Sequence, residues 1–166
     1  YKVLQTKKGV DRAFSKLSQI KPHIVTWWKA GAQPIQMLND GEVHYTSAYN
    51  GRVTKLASGG TPVKIVWNGG AMHLSYNGIL KGSKSVDAAH KYLNFTSTNP
   101  ERSAAQVKIF PYPGFVKGLY DYLPASLGPD LPTFPANAKV QVKIDSKFWS
   151  ANREVLRERW EAWLLD

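Results

Sequence analysis

The feature that most constrains this fold is a pair of short segments in which a β-prone run ends in an aromatic residue followed by Asn-Gly. They are Ala48-Tyr49-Asn50-Gly51-Arg52 and Val66-Trp67-Asn68-Gly69-Gly70. Asn and Gly tolerate the positive φ angles at which a chain turns, so each run is expected to end in a sharp turn. A predicted helix start, Gly31-Ala32-Gln33-Pro34, precedes the first segment. Since α/β proteins usually hold ligands at strand ends and helix starts, these segments predict the rim of a ligand cleft.

Length and composition favour one compact unit, or a large part of a bigger one. The chain has 166 residues, of which 43% are hydrophobic and 12% aromatic, enough for one core of ordinary size. The longest apolar runs fall far short of the roughly 20 residues that a membrane-spanning helix needs. The absence of cysteine excludes disulfides, thiolate metal sites and cysteine nucleophiles. The first residues include neither an initiator Met nor a signal pattern, so the N-terminus is expected to be internal or processed.

The net charge of +10 raises the possibility of a nucleic-acid or anionic-surface partner. Most basic residues are scattered, however, and the three arginines between residues 153 and 159 are interleaved with glutamates, as on a solvated helix face. A protein that binds along the phosphate backbone of a nucleic acid needs clustered positive charge. A basic nucleic-acid-binding module is therefore the alternative function, and no nucleic-acid partner is expected.

Hydrophobic spacing and cap residues predict an α/β chain with six helices. The helices are expected near residues 10–21, 34–40, 52–57, 86–95, 100–107 and 150–165. Pro34 lies near the start of the second helix and Gly41 just past its end, which is the usual asymmetry. Asn99 is expected to cap the fifth helix. In the last helix, one face is expected to carry Val155, Leu156, Trp160, Trp163 and Leu164.

Extended structure is predicted between these helices. Its expected positions are residues 23–28, 43–49, 63–67 and 72–80, which are short β-prone runs bounded by turn residues. Residues 110–135 hold six prolines, which leaves little room for regular structure. A long irregular stretch of this kind is typically functional or runs between lobes.

Motifs for catalysis and for metal binding are missing. The four histidines are far apart in the sequence and no His-Glu-x-x-His occurs, so no metal site is expected. The sequence has no phosphate loop of the Gly-x-x-x-x-Gly-Lys-Ser/Thr type and no Gly-x-Ser-x-Gly elbow. The sequence shows no catalytic pair, so we expect that the protein is not an enzyme and binds no cofactor.

The candidate ligand-binding residues are aromatic and small polar side chains near the ends of predicted elements. They are Trp28, Gln33, Tyr49, Asn50, His73, Ser75, Tyr112 and Ser150. Aromatic walls with a few hydrogen-bonding groups suit a small-molecule cleft. The aromatic members also fit core positions, and Gln33, Asn50 and Ser150 also fit caps or turns. His73 also suits a structural histidine within a strand.

Several short motifs occur in order along nearly the whole chain. They are Trp27-Trp28, Gly31-Ala32-Gln33-Pro34, Gly41-Glu42-Val43, Tyr49-Asn50-Gly51-Arg52, Trp67-Asn68-Gly69-Gly70, Lys81-Gly82-Ser83, Phe148-Trp149 and Arg159-Trp160. In order and spacing they resemble the spermidine/putrescine-type extracellular solute-binding proteins of bacterial ABC transporters. No single motif would suffice, but the set is fairly specific.

The resemblance implies an α/β fold of the periplasmic-binding-protein type II-like kind, with two hinge-connected lobes around a ligand cleft. Members of that family are about twice as long as this chain, which therefore corresponds to their C-terminal half. The missing N-terminal half of the same protein is then expected to be a partner of this chain. By the same resemblance, residues 1–75 belong to the second lobe and residues 76–121 to the first. Residues 122–166 return to the second lobe and end in the C-terminal helix.

The resemblance also implies a function. It is that of the solute-binding component of an ABC importer, which captures a small-molecule solute by lobe closure and delivers it to the transporter's permease. Such proteins are periplasmic and are made as precursors with a signal peptide. Residues near which family members line the cleft are Tyr49, His73, Ser75, Tyr112 and Ser150.

One position departs from the polyamine-binding pattern. Where polyamine binders typically present an aromatic residue followed two positions later by an aspartate, this chain has His73 and Ser75. A carboxylate paired with a buried ammonium contributes charge-assisted hydrogen bonds of about 1.5 to 3 kcal/mol each, which Ser75 does not supply. The sequence therefore predicts a neutral, zwitterionic or anionic solute rather than a polyamine.

Overall fold

The computed structural model describes residues 1–166, which form two compact units. The first unit consists of Tyr1–Trp27 and Ile144–Asp166, and the second of Trp28–Lys143. The lobe boundaries expected after residues 75 and 121 refer to a longer two-lobed protein and stay a prediction.

The fold is a helix-rich α/β arrangement. In chain order its elements are α1 (Lys7–Ile20), α2 (Gln33–Asn39), α3 (Asn50–Ser58), β1 (Ala71–Met72), α4 (Val86–Ser97), α5 (Pro100–Ile109), α6 (Pro135–Val140), β2 (Val142–Lys143) and α7 (Ser146–Leu165). Short 3-10 turns occupy Lys2–Gln5, Lys21–His23, Leu119–Tyr122 and Gly128–Asp130. Even α7, with 20 residues, lacks the apolar window of a membrane-spanning helix.

The first unit is built on α1 and α7. An aromatic cluster joins them: the ring centroids of Trp27 and Trp160 are 4.9 Å apart, and those of Phe14 and Trp163 are 6.1 Å apart. Trp163 is buried, and its indole N–H donates a hydrogen bond to Ser18 Oγ at 2.8 Å. Because a buried indole N–H needs an acceptor, this bond fixes the register between the two helices.

The second unit has its core beneath α5. Buried side chains of Ala104, Val107, Leu119 and Leu131 form one cluster, against which half-buried residues of the proline-rich stretch pack. The Asn99 side chain accepts a hydrogen bond from the Arg102 backbone N–H at 2.8 Å, which confirms the predicted cap of α5.

The second unit contains one two-stranded parallel sheet, formed by β1 and β2. Ala71 of β1 pairs with Val142 of β2, and the neighbouring Gly69 N–H donates to the Val140 carbonyl at 2.9 Å. Gly69 has a φ of +77°, so the second Asn-Gly segment forms the sharp turn that the sequence predicts.

The first Asn-Gly segment behaves differently, and the prediction of a turn there is wrong. Asn50 and Gly51 are the first two residues of α3, and neither has a positive φ. The helix predicted to follow them is present and is longer than expected by two residues at its start. The helix-forming residues after Gly51 therefore override the turn preference of Asn-Gly.

All six predicted helices are present, but several begin or end at other residues; α1, for example, starts at Lys7 rather than near residue 10. The last helix starts at Ser146 rather than near Ser150, because the Asp145 side chain caps it by accepting from the backbone N–H groups of Lys147 and Phe148 at 3.0 Å. Val155 is 69% exposed, so its predicted place on the packing face is wrong. The short helix α6, at the end of the proline-rich stretch, was not expected.

The predicted strands are mostly not formed as paired strands. Residues 23–28, 43–49 and 63–67 have no ladder partner, and of residues 72–80 only Met72 is paired. Burial nevertheless alternates from Val63 to Trp67, as on a strand with one covered face. A strand needs a hydrogen-bonding neighbour as well as β-prone residues, and local sequence does not supply that neighbour.

Candidate functional site

The candidate site is built around the first turn of α3. Tyr49 is the residue that precedes this helix; no side chain caps the helix, and its first turn holds no acidic residue. The first amide N–H groups of a helix lack intrahelical acceptors and carry the positive end of the helix dipole. In α3 the Arg52 N–H already donates to the Tyr49 carbonyl at 3.0 Å, which leaves the N–H groups of Asn50 and Gly51 as donors without an acceptor in the chain. This end of α3 therefore offers two hydrogen-bond donors and partial positive charge.

An aromatic pair borders this helix start. The rings of Trp28 and Tyr49 meet edge to face, with centroids 6.0 Å apart. The indole N–H of Trp28 donates to Ser47 Oγ at 3.0 Å, which fixes the orientation of the ring. Tyr49 stays 54% exposed, so its ring is available to a ligand. Together the two rings form a wall of the kind that small-molecule sites use.

The loop before α2 lies against the same wall. A Cβ atom built on Gly31 would lie 3.0 Å from the Tyr49 ring and 3.4 Å from Arg52 Nε, so the Gly31 backbone packs tightly beside both. Gln33, the first residue of α2, accepts a hydrogen bond from the Lys29 N–H through Oε1 at 3.3 Å. That bond stabilises the loop, while a ligand contact for Gln33 stays a prediction.

The proline-rich stretch reaches the other flank of the helix start. Asn50 Nδ2 donates to the Pro111 carbonyl at 2.7 Å, and the Tyr112 ring packs on the backbone of Gly51. Tyr112 is 47% exposed. The structure thus brings Trp28 and Tyr112, which are distant in sequence, together with the adjacent Tyr49 and Asn50 around one helix terminus.

Three other predicted residues do not join this cluster by hydrogen bonds. His73 and Ser75 follow the end of β1, are exposed, and make no side-chain hydrogen bond within the chain. Ser150 is an exposed residue of α7 and belongs to the other compact unit. A ligand-binding role for these three residues stays a prediction.

Arg52 lies beside this cluster, with its Nε close to Gly31, and it was not among the residues predicted from the sequence. It is the third residue of α3 and forms no ion pair within the chain. It also lines a depression of about 360 Å³ with Ile35 and Lys55 among others, and no member of the aromatic cluster lines that depression. A basic side chain in the first turn of a helix is unfavourable, because the helix dipole is positive there. That conflict was visible in the sequence, and a role of Arg52 in holding a negative group is a prediction.

The chain has no cluster of three or more His, Asp or Glu side chains with the geometry of a metal site.

The bacterial extracellular solute-binding protein family matches residues 1–141 of the chain. A gamma-aminobutyric acid-binding protein of Pseudomonas aeruginosa is 40% identical over 163 residues, which are 98% of this chain and 46% of that protein. The chain thus spans about half the length of this relative.

Solved structures share the fold. An ABC transporter substrate-binding protein from Bradyrhizobium japonicum is 35% identical, with a TM-score of 0.79 over 93% of this chain and 48% of that one. The periplasmic binding protein MotA from A. tumefaciens B6, solved in complex with glucopine, is 25% identical, with a TM-score of 0.80 over 98% of this chain and 51% of that one.

Proposed function

Because the chain belongs to the bacterial extracellular solute-binding protein family, we propose that the protein is the solute-binding component of an ABC importer. In this proposal it works in the periplasm, after removal of a signal peptide. There it captures a small polar solute between two lobes and delivers it to the permease without chemical change. The polypeptide that the relatives have beyond the matched half supplies the other wall of the cleft.

The observation that carries the proposal is the aromatic pair beside the uncapped start of α3. The exposed ring of Tyr49 lies 6.0 Å from the Trp28 ring, at a helix end that offers amide donors. Aromatic faces shield a bound solute from water and attract its ammonium group, while amide donors hold its oxygen atoms.

For the solute we propose an amino acid that carries both a carboxylate and an ammonium group. A carboxylate at the start of α3 is stabilised by the helix dipole and by Arg52, which no acidic side chain neutralises. The ammonium group then lies over the rings of Trp28 and Tyr49. A relative with 40% identity is named a gamma-aminobutyric acid-binding protein, and that compound has both groups.

The same charges argue against a polyamine, although the sequence motifs resemble the spermidine/putrescine type. A polyamine has only cationic groups, which Arg52 repels, and Ser75 does not offer the carboxylate that such a ligand needs. A nucleic-acid-binding role has no support beyond the scattered +10 charge.

The test is a titration of the full-length protein with gamma-aminobutyric acid, other amino acids and putrescine. Binding is measured by the change in tryptophan fluorescence and by calorimetry. We expect saturable binding of an amino acid and none of putrescine. Trp28→Phe should weaken that affinity about tenfold through the lost aromatic area, whereas Trp149→Phe, a half-exposed tryptophan of α7, should not. A protein that binds no amino acid in the panel, or binds only putrescine, would refute the proposal.

A further inference from the structure

The side chain of Asn50 makes a long-range bond at the start of α3. Its Nδ2 donates to the Pro111 carbonyl at 2.7 Å, across 61 positions of the sequence. A carbonyl oxygen only accepts, so an amide N–H of Asn50 must face Pro111. Asparagine at a helix start commonly caps the helix instead, yet no side chain caps α3. The amide of this half-buried residue is therefore committed to a distant segment of the chain.

The segment that Asn50 holds is a tight turn directly after α5. The Tyr112 N–H donates to the Phe110 carbonyl at 2.6 Å, so Pro111 lies at the centre of a three-residue turn. The proline ring fixes φ at Pro111, and Pro113 restricts the backbone of Tyr112 from the other side. Tyr112 thus has little backbone freedom of its own, and the place of its ring follows that of the Pro111 carbonyl.

The ring that this turn carries lies on the backbone of α3. A Cβ atom on Gly51 would be 2.7 Å from Tyr112 Cε2 and 2.9 Å from its hydroxyl oxygen, so the phenol end of the ring covers Gly51. Gly51 is buried, whereas about half of Tyr112 stays exposed. The ring contact has no directional bond of its own. The hydrogen bond from the neighbouring Asn50 is therefore what sets the distance between the turn and the helix start.

We propose that Asn50 is a positioning residue of the solute site, which holds the Tyr112 ring beside the first turn of α3 through the Pro111 carbonyl. This inference rests on the proposed function. The role of Asn50 is indirect: it acts on the solute through Tyr112, and no contact of its own amide with the solute is required. Without the bond the turn is free to leave the helix start, and the site loses a wall that was fixed before the solute arrived.

The first test is calorimetry of the full-length protein. The probe is gamma-aminobutyric acid, or the amino acid of the panel above that binds wild type most tightly. Asn50→Ala should weaken binding about tenfold, because ordering the turn then opposes binding. Tyr112→Ala should weaken it by a similar factor. The double variant should be no weaker than Tyr112→Ala alone, since Asn50 then has no ring to hold.

Asn152→Ala is the matched control. The Asn152 side chain also donates to a backbone carbonyl, that of Phe148 at 2.8 Å, but it belongs to α7 and to the other compact unit. Its loss removes the same kind of bond from the protein and should leave solute affinity unchanged. Circular dichroism verifies that each variant is folded.

The second test is fluorine NMR of a fluorinated tyrosine placed at residue 112 alone, which reports the surroundings of the ring. In wild type we expect a chemical shift away from that of the free amino acid, and a further change with saturating probe. Asn50→Ala should move the resonance towards the free value, and Asn152→Ala should not. Asn50→Asp keeps the shape and favours the helix start but has no donor, so it should release the ring as well.

Three results would overturn the inference. Unchanged affinity and an unchanged resonance in Asn50→Ala would show that the bond does not hold the ring. Losses that add in the double variant would show that Asn50 acts on the solute independently of Tyr112. An equal loss in Asn152→Ala would show general destabilisation. Failure of the proposed function is distinct, since wild type would then bind no amino acid while the resonance of residue 112 still responds to Asn50→Ala.

Discussion

The ring of Tyr112 lies directly against the backbone of Gly51, where a Cβ atom would be only 2.5 Å from Tyr112 Cζ. Gly51 is a buried residue in the first turn of α3, and its φ is not positive. Glycine is therefore required here by the space that the ring occupies and not by backbone conformation. This contact places an aromatic side chain beside the helix start that forms the candidate solute site.

Gly51→Ala should weaken solute binding without loss of stability. The atoms that an alanine would meet are at the far end of the Tyr112 side chain, so the ring can move away. Alanine is about 1 kcal/mol better than glycine in a helix, which offsets the disturbance. We expect an unchanged or higher Tm by circular dichroism and an affinity about tenfold lower by calorimetry, because the displaced ring no longer borders the site.

A double-mutant cycle is the control. In a Tyr112→Ala background, Gly51→Ala has no ring to displace and should cause no further loss of affinity. If the loss persists without the ring, Tyr112 does not transmit the effect, and its assignment to the site is wrong.

The two Asn-Gly segments show how far the sequence predicts this fold. At Asn68-Gly69 the turn is formed, with a φ of +77° at Gly69, and the chain then pairs with β2. At Asn50-Gly51 the same dipeptide begins a helix instead. The helices were predictable because their hydrophobic spacing and caps are local. The strands were not, because each depends on a neighbour that is distant in sequence.

The candidate site was predictable only in part, for the same reason. Trp28, Tyr49, Asn50 and Tyr112 were identified by residue type, but what joins them is the bond from Asn50 to Pro111, which spans 61 residues. Arg52 directly follows Asn50-Gly51 and begins the helix predicted over residues 52–57, so its unfavourable charge at a helix start could have identified it from the sequence.

Arg52→Gln should reduce affinity for a carboxylate-bearing solute by about tenfold or more, since a charge-assisted hydrogen bond contributes roughly 1.5 to 3 kcal/mol. Calorimetry of the full-length protein measures this. Lys64→Gln removes an equal charge from an exposed residue outside the cluster and should leave affinity unchanged. An equal loss of affinity in both variants would show a long-range charge effect. Unchanged affinity in both would show that Arg52 does not contact the solute.

Gly9→Ala should destabilise the protein by about 1 to 3 kcal/mol, the usual range for overpacking. The Cβ atom would lie 1.8 Å from a backbone oxygen of Val3, which cannot turn aside as a flexible side chain does. Urea unfolding measures the change. Gly78→Ala is the matched control, because a Cβ atom there meets nothing within 4 Å and φ is not positive. Equal stability of both variants would contradict the close approach of the turn to α1.

Asn137→Ala should destabilise the second unit by about 1 to 3 kcal/mol. The Asn137 amide donates to the carbonyls of Pro129 and Leu131 at 2.7 and 2.8 Å and so holds the proline-rich stretch over the core. Loss of the amide leaves these carbonyls without that donor. Asn137→Asp should be worse, since a carboxylate of similar shape would face two acceptors. A higher Tm for Asn137→Asp than for Asn137→Ala would show that the side chain of residue 137 does not donate to these two carbonyls.

Asp11→Asn should lower stability in a way that depends on pH. The hydrogen bond from Arg159, at 2.8 Å, is the main reason that the pKa of the Asp11 carboxyl is lower than usual. A carboxyl whose pKa is lower in the folded state stabilises the protein above its unfolded pKa, and that contribution is lost as pH falls through the folded pKa. The Tm of wild type should therefore exceed that of Asp11→Asn at neutral pH, and the gap should close in strong acid.

Asp130→Asn, which breaks no ion pair, should show no such gap. A Tm difference that persisted unchanged into strong acid would mean that the carboxylate charge of Asp11 is not the source of the stability lost in Asp11→Asn.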